Sequence, residues 1–191
     1  KRDALFAAGL PQAVGESMRT HAASHPGVAA FGCAAIRALG HHSPPRKLAL
    51  LRSANAALAV VSALKAHPNH AFVAFHGCSA VWGLTGEPEC KSALLKLNAD
   101  AAVVAALRGN ADSAAVATQA LAALWSLANH AAVGRAQVMR SNAPSAIVDA
   151  MRRFTPLSPQ VASHGAAALW SLAAAPANRT VLLRAGAGVA V

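Results

Sequence analysis

The chain contains no tyrosine, and its three tryptophans and five phenylalanines make up only 4% of 191 residues. Readers of single-stranded nucleic acid stack bases on aromatic side chains. This scarcity ranks nucleic acid below protein as a partner. Acidic residues are scarce too. Asp3, Glu16, Glu87, Glu89, Asp100, Asp112 and Asp149 are dispersed along the chain, which leaves little for a general acid–base pair. No phosphate-binding glycine loop and no nucleophile–histidine–acid constellation is visible. The expectation is a segment that is not an enzyme and carries no cofactor. Cys33, Cys78 and Cys90 lack a Cys-x-x-Cys spacing, so they read as small core residues of a protein kept in a reducing compartment. The nine histidines read as loop, cap or polar-face residues rather than metal ligands, because His67-Pro-Asn-His70 has no Cys or Asp beside it. No uninterrupted apolar run approaches the ~18 residues of a membrane span. No basic start followed by an apolar stretch marks a signal peptide.

What is abundant is alanine, leucine and positive charge. Hydrophobic residues are 55% of the chain, and alanine and leucine, which carry that share, both favour helix. Seventeen Lys and Arg against seven Asp and Glu give a net charge of +10 and a pI near 11.1. Such a charge attracts acidic protein surfaces, nucleic acid or anionic membrane over long range.

One phrase recurs four times, over Gly32–Leu39, Gly77–Leu84, Ala120–Leu127 and Gly165–Leu172, in steps of 45, 43 and 45 residues. Its sixth position is Arg37 in the first copy and Trp82, Trp125 and Trp170 in the others. A period of this length signals a stack of small helical units, none of which buries its apolar face alone. A second series, Gly9, Asn55, Asn98, Asn142 and Gly186, is spaced by 46, 43, 44 and 44 residues, and each member follows a short apolar run. Glycine and asparagine enter the left-handed backbone region cheaply and end helices there. Each therefore predicts a sharp corner between a short first helix and a second one. The second helices read as Leu10–Arg19, Ala56–Lys65, Ala99–Arg108 and Ala143–Phe154. After breaker-rich loops, the third helices read as about Val28–Leu39, Ala71–Leu84, Ser113–Asn129 and Gln160–Ala173. Pro45, Pro88 and Pro176 then open the next short helix, where a missing N–H costs nothing.

One short helix, a corner, a second helix and a longer third resembles the armadillo repeat family. The residues 178–187, Asn-Arg-Thr-Val-Leu-Leu-Arg-Ala-Gly-Ala, look like the family's first helix and glycine corner. Ala123-Leu-Trp-Ser-Leu-Ala-Asn129 looks like its third helix, including the Trp-x-x-x-Asn pair. The resemblance spans essentially the whole chain. It implies an all-α solenoid, a right-handed superhelix of three-helix repeats, in one domain over residues 1–191. The repeats would cover about 1–43, 44–86, 87–130 and 131–175, with a partial fifth at 176–191. The chain starts at Lys1 rather than Met and stops within a repeat, so it reads as part of a longer protein. The resemblance further implies a groove lined by the third helices, with Trp82, Trp125, Asn129 and Trp170 as candidate contacts. Importin-α-type members hold basic peptides with such Trp and Asn ladders. Here Gly86 and Ala174 replace the other asparagines and the chain is cationic, so nuclear import is not the expectation.

Three columns of cations run in register: Lys47, Lys91, Arg135 and Arg179; Arg52, Lys96, Arg140 and Arg184; and Arg19, Lys65, Arg108 and Arg152. The first matches the carbonyl-binding arginine of the family's first helix. The third ends the second helices, where a cation complements the helix dipole. The second column is the candidate contact surface for an acidic partner. The reading is a non-catalytic protein–protein interaction scaffold, a component of a larger cytoplasmic, cytoskeletal or ciliary assembly. By analogy with armadillo proteins of cilia, acidic tubulin tails suit its charge. Two alternatives stay open: a basic module for nucleic acid or an anionic surface, and a regulatory or adaptor segment attached to an enzyme outside this stretch.

Overall fold

The computed structural model describes residues 2–129 and 131–190. The repeat boundary placed at His130, and the domain ends at Lys1 and Val191, lie outside them. The order is α1 (Arg2–Ala7), α2 (Leu10–His21), α3 (Pro26–Gly40), α4 (Pro44–Ser53), α5 (Ala56–Ala66), α6 (Ala71–Leu84) and α7 (Pro88–Lys96). It continues with α8 (Ala99–Gly109), α9 (Ala114–Ala128), α10 (Ala132–Arg140), α11 (Ala143–Phe154), α12 (Pro159–Ala173), α13 (Pro176–Arg184) and α14 (Ala187–Ala190). Among the described residues there is no strand. The molecule is an all-α helical-repeat stack in which α3, α6, α9 and α12 pack successively on one another. Among the described residues no single helix is long and apolar enough to cross a membrane. α4 and α5 pass that test only as a pair, and they are bent by 70° at their junction.

The corners stand where the glycines and asparagines place them. Gly9, Asn55, Asn98, Asn142 and Gly186 all have positive φ, between 47° and 85°. An L side chain without a short polar end pays about 1–2 kcal/mol there. Asn55→Ala is therefore expected to cost about 1 kcal/mol of stability in urea unfolding, and Asn55→Gly close to nothing. Equal losses would mean that the backbone sign is not what the residue serves.

Two prolines behave differently from the reading of the sequence. Pro26 and Pro159 fall in the predicted loops, yet they open α3 and α12. At a first helical turn the absent N–H is one that no carbonyl needs, and the fixed φ is already helical. The third helices are also capped by side chains. Ser113 Oγ accepts from the Val116 N–H and Ser158 Oγ from the Val161 N–H, each at 3.3 Å. His70 Nδ1 accepts from the Val73 N–H.

One apolar core runs the length of the stack, from Met18 to Leu182. The phrase glycine has a packing reason. A Cβ at Gly77 would meet the Leu64 side chain at 2.6 Å, so only glycine lets α5 press this closely on α6. Polar ties repeat as well. His67 Nε2 donates to the Ala22 carbonyl at 2.7 Å, and Asn110 Nδ2 donates to the Pro68 carbonyl at 2.9 Å. Each side chain follows a second helix and holds the equivalent loop one unit earlier. Such nearest-neighbour ties are how a repeat stack is stabilised.

Candidate functional site

Two of the cation columns converge on one edge of the stack. Arg52, Lys96, Arg140 and Arg184 lie in the last turns of α4, α7, α10 and α13, and all four are exposed. Arg19, Lys65, Arg108 and Arg152 lie in the last turns of α2, α5, α8 and α11 and reach toward the next corner. Lys65 Nζ donates to the Leu97 carbonyl at 3.1 Å, one residue past Lys96. Arg108 Nη2 donates to the Asn142 carbonyl and Ser145 Oγ at 3.2 and 2.9 Å, just past Arg140. Arg152 fills the space a side chain at Gly186 would need. Arg19 shares a cleft with Ser53, Ala54 and Asn55, just past Arg52. The four corners at Asn55, Asn98, Asn142 and Gly186 thus carry two cations each, eight in all.

Carboxylates answer few of them. Arg19 pairs with Glu16 at 3.6 Å and Arg52 with Glu89 at 3.3 Å, both in exposed positions. Asp112 pairs with Arg153, which belongs to neither column. Asp100 is buried and accepts from Gln137 Nε2 at 2.8 Å. Asp149 lines a cleft with Arg108 and Arg153 without an ion-pair contact. Among the described residues, Lys65, Lys96, Arg108, Arg140, Arg152 and Arg184 have no carboxylate partner. Units about 10 Å apart place like charges at about 0.4 kcal/mol of mutual repulsion in water, per pair. An acidic partner would remove that repulsion along the whole edge.

The third helices carry a different arrangement. Arg37, at the tryptophan place of the first phrase, donates from Nη1 to the Ser79 carbonyl at 3.0 Å. Its guanidinium sits 5.2 Å from the centre of the Trp82 ring, a cation–π contact. Trp82 in turn meets the His164 ring at 5.5 Å, and Trp125 stacks on His164 at 6.4 Å with planes 14° apart. His164 is held by donating from Nδ1 to the Thr118 carbonyl at 3.2 Å. A ring of α6 therefore touches a ring of α12 across the edge of α9. Toward the N-terminal end Phe31 packs on Phe72 and Phe72 on His76, at 5.4 and 4.5 Å. Burial, with the nearby Arg37 charge, lowers the His76 pKa.

The four candidate groove residues have unlike surroundings. Trp82 and Trp125 are half-buried against the core, and the Trp125 indole N–H is buried without a partner among the described residues. Trp170 is 68% exposed. Asn129 caps α9, and its carbonyl accepts from Lys91 Nζ. In the first cation column, Arg179 Nε likewise donates to a carbonyl, that of Ala173, at 3.1 Å. Burial lowers the pKa of Lys91, and Arg135 nearby adds to this. Sequence reasoning missed His164 as the rung between Trp82 and Trp125. The signal was present: His76, Gln119 and His164 each stand six residues before a tryptophan.

All three cysteines are buried and free. Burial pushes Cys33 up to about 12 and raises Cys78 as well, with the adjacent Cys33 adding to the effect. An unfolded thiol ionises near 8.5. Above that pH the unfolded chain has lost protons that the folded chain keeps, so stability falls as pH rises. The expected slope is about 1.4 kcal/mol per pH unit for each of the two thiols between about pH 9 and 11. Urea unfolding of wild type and of Cys33→Ala/Cys78→Ala measures it. An equal pH slope in both proteins would contradict the assignment. Among the described residues, no three His, Cys, Asp or Glu side chains come together as a metal site.

No protein-family profile, curated protein or solved structure matches the chain.

Proposed function

We propose that this protein is a non-catalytic, armadillo-type scaffold that docks an acidic protein surface along its corner edge. The armadillo assignment is supported by the short helix, left-handed Gly or Asn corner, second helix and longer third helix. That order recurs through α1–α3, α4–α6, α7–α9 and α10–α12, with α13 and α14 beginning another unit. The observation that carries the function is the double row of eight cations, six of them without a carboxylate partner among the described residues. Surface charges that no internal partner neutralises steer association with surfaces of opposite sign. A protein partner is favoured over nucleic acid because Trp82 and Trp125 are half-buried and engaged with His164, and of the more exposed rings Phe31 and Phe72 pack on each other, which leaves Trp170 as the exposed tryptophan. The reading places the chain in a cytoplasmic or cytoskeletal assembly, with tubulin tails an example of the partner chemistry.

The test is capture from a nuclease-treated cell extract with the whole chain as bait. Proteins with acidic surface segments should be retained at low salt and released as salt rises through the physiological range. Retention of nucleic acid alone from untreated extract, with no protein held after nuclease, would transfer the edge to the polyanion reading.

A further inference from the structure

A pocket of about 290 Å³ opens on the third-helix face between α3, α4, α6 and α9. Arg37, His41, His42 and Lys47 line it together with Trp82 and Ser126, and no aspartate or glutamate does. The nearest carboxylate in sequence is Glu87, beside the lining residue Gly86. The Arg37 guanidinium is already oriented by the Ser79 carbonyl and the Trp82 ring. It has no carboxylate partner among the described residues, and burial lowers its pKa from the ordinary arginine value. The Lys47 ammonium likewise makes no hydrogen bond or ion pair among them.

A glycine sets where the Lys47 ammonium lies in the pocket. Asn129 stands four residues after Trp125, and Gly86 stands at the matching place after Trp82. A Cβ at Gly86 would lie 2.7 Å from Lys47 Nζ. The missing side chain is what admits the ammonium. Lys91, at the same register one unit on, instead donates its Nζ to the Asn129 carbonyl. Lys47 is thereby left as a donor without a partner among the described residues, in the cavity that Arg37 also lines.

We propose that this pocket binds the carboxylate side chain of an acidic polypeptide segment, held by Arg37 and Lys47 against the Trp82 ring. A planar guanidinium fork and a point-charge ammonium flanking one cavity suit a carboxylate, which accepts from both. The site is separate from the corner edge and does not rest on it.

The experiment follows the Trp82 indole N–H signal by NMR, assigned with Trp82→Phe, during titration with end-blocked hexaglutamate. In wild type the signal should shift saturably. In Lys47→Gln the midpoint should rise at least five-fold. In Gly86→Asn, which leaves the net charge unchanged and crowds Lys47, it should rise by a similar factor. In the corner-edge variant Arg52→Glu/Lys96→Glu/Arg140→Glu/Arg184→Glu it should stay within two-fold. Circular dichroism verifies that each variant folds, and Lys47→Gln alone decides if Gly86→Asn does not. Four outcomes would overturn the proposal: no saturable shift in wild type, unchanged midpoints in the folded pocket variants, a loss as large in the edge variant, or a single-stranded hexanucleotide acting at lower concentration than hexaglutamate. Loss of extract capture by the edge variant with an intact Trp82 response, or the converse, tells failure of one site from failure of the other.

Discussion

Replacing Trp125 with alanine lowers stability by about 3 kcal/mol, while the same change at Trp170 lowers it by less than about 1 kcal/mol. The two tryptophans occupy the same place in successive phrases, so composition and helix position are matched. Their surroundings are not. Trp125 packs on the core and stacks on His164, and its truncation leaves a void that the neighbouring helices fill only in part. Removing a buried large aromatic costs about 3–5 kcal/mol, and the half-exposed state of Trp125 places it at the lower end. Trp170 is 68% exposed, and among the described residues no ring packs on it as His164 packs on Trp125. Urea unfolding followed by circular dichroism compares the two. Equal losses would show that the ring contacts across the third helices contribute little.

A second large effect is expected at the corner edge. Reversing Arg52, Lys96, Arg140 and Arg184 together to glutamate removes eight units of charge and takes the formal net from +10 to +2. All four are exposed, and the one ion pair they make among the described residues, Arg52 with Glu89, is itself largely exposed. Exposed charges contribute little to stability, so helicity and the melting temperature should stay near wild type. Half of the cations open to an approaching acidic segment would be gone, and the third column would face new carboxylates at the same corners. Retention of acidic proteins from nuclease-treated extract should fall at least ten-fold, with a shallower dependence on salt. A folded variant that retains them as well as wild type would remove this edge from the account.

The repeat architecture was legible because its signals are local. A left-handed corner admits glycine and asparagine cheaply, so Gly9, Asn55, Asn98, Asn142 and Gly186 mark it in the residue string as in the backbone. Pro26 and Pro159 misled because proline breaks a helix interior and also opens a first turn, and the residue alone does not say which. The candidate surfaces were less legible. Each cation column is visible as a 44-residue spacing, or nearly so. That the end of one second helix meets the next corner depends on how successive units are offset, which spacing does not encode. The same offset brings His164 between Trp82 and Trp125. The Arg37–Trp82 contact and the space over Gly86 arise from departures from the repeat, and a periodic reading passes over departures.

The central claim, that the corner edge holds an acidic protein, is tested most directly by zero-length carbodiimide coupling of the captured complex, followed by peptide mapping. The edge contains two lysines, Lys65 and Lys96, whose ammonium groups can form amide bonds only with carboxylates in contact with them. The account predicts that partner peptides joined through aspartate or glutamate appear on Lys65 and Lys96. A captured partner joined only through other lysines, with both edge lysines unmodified, would contradict it.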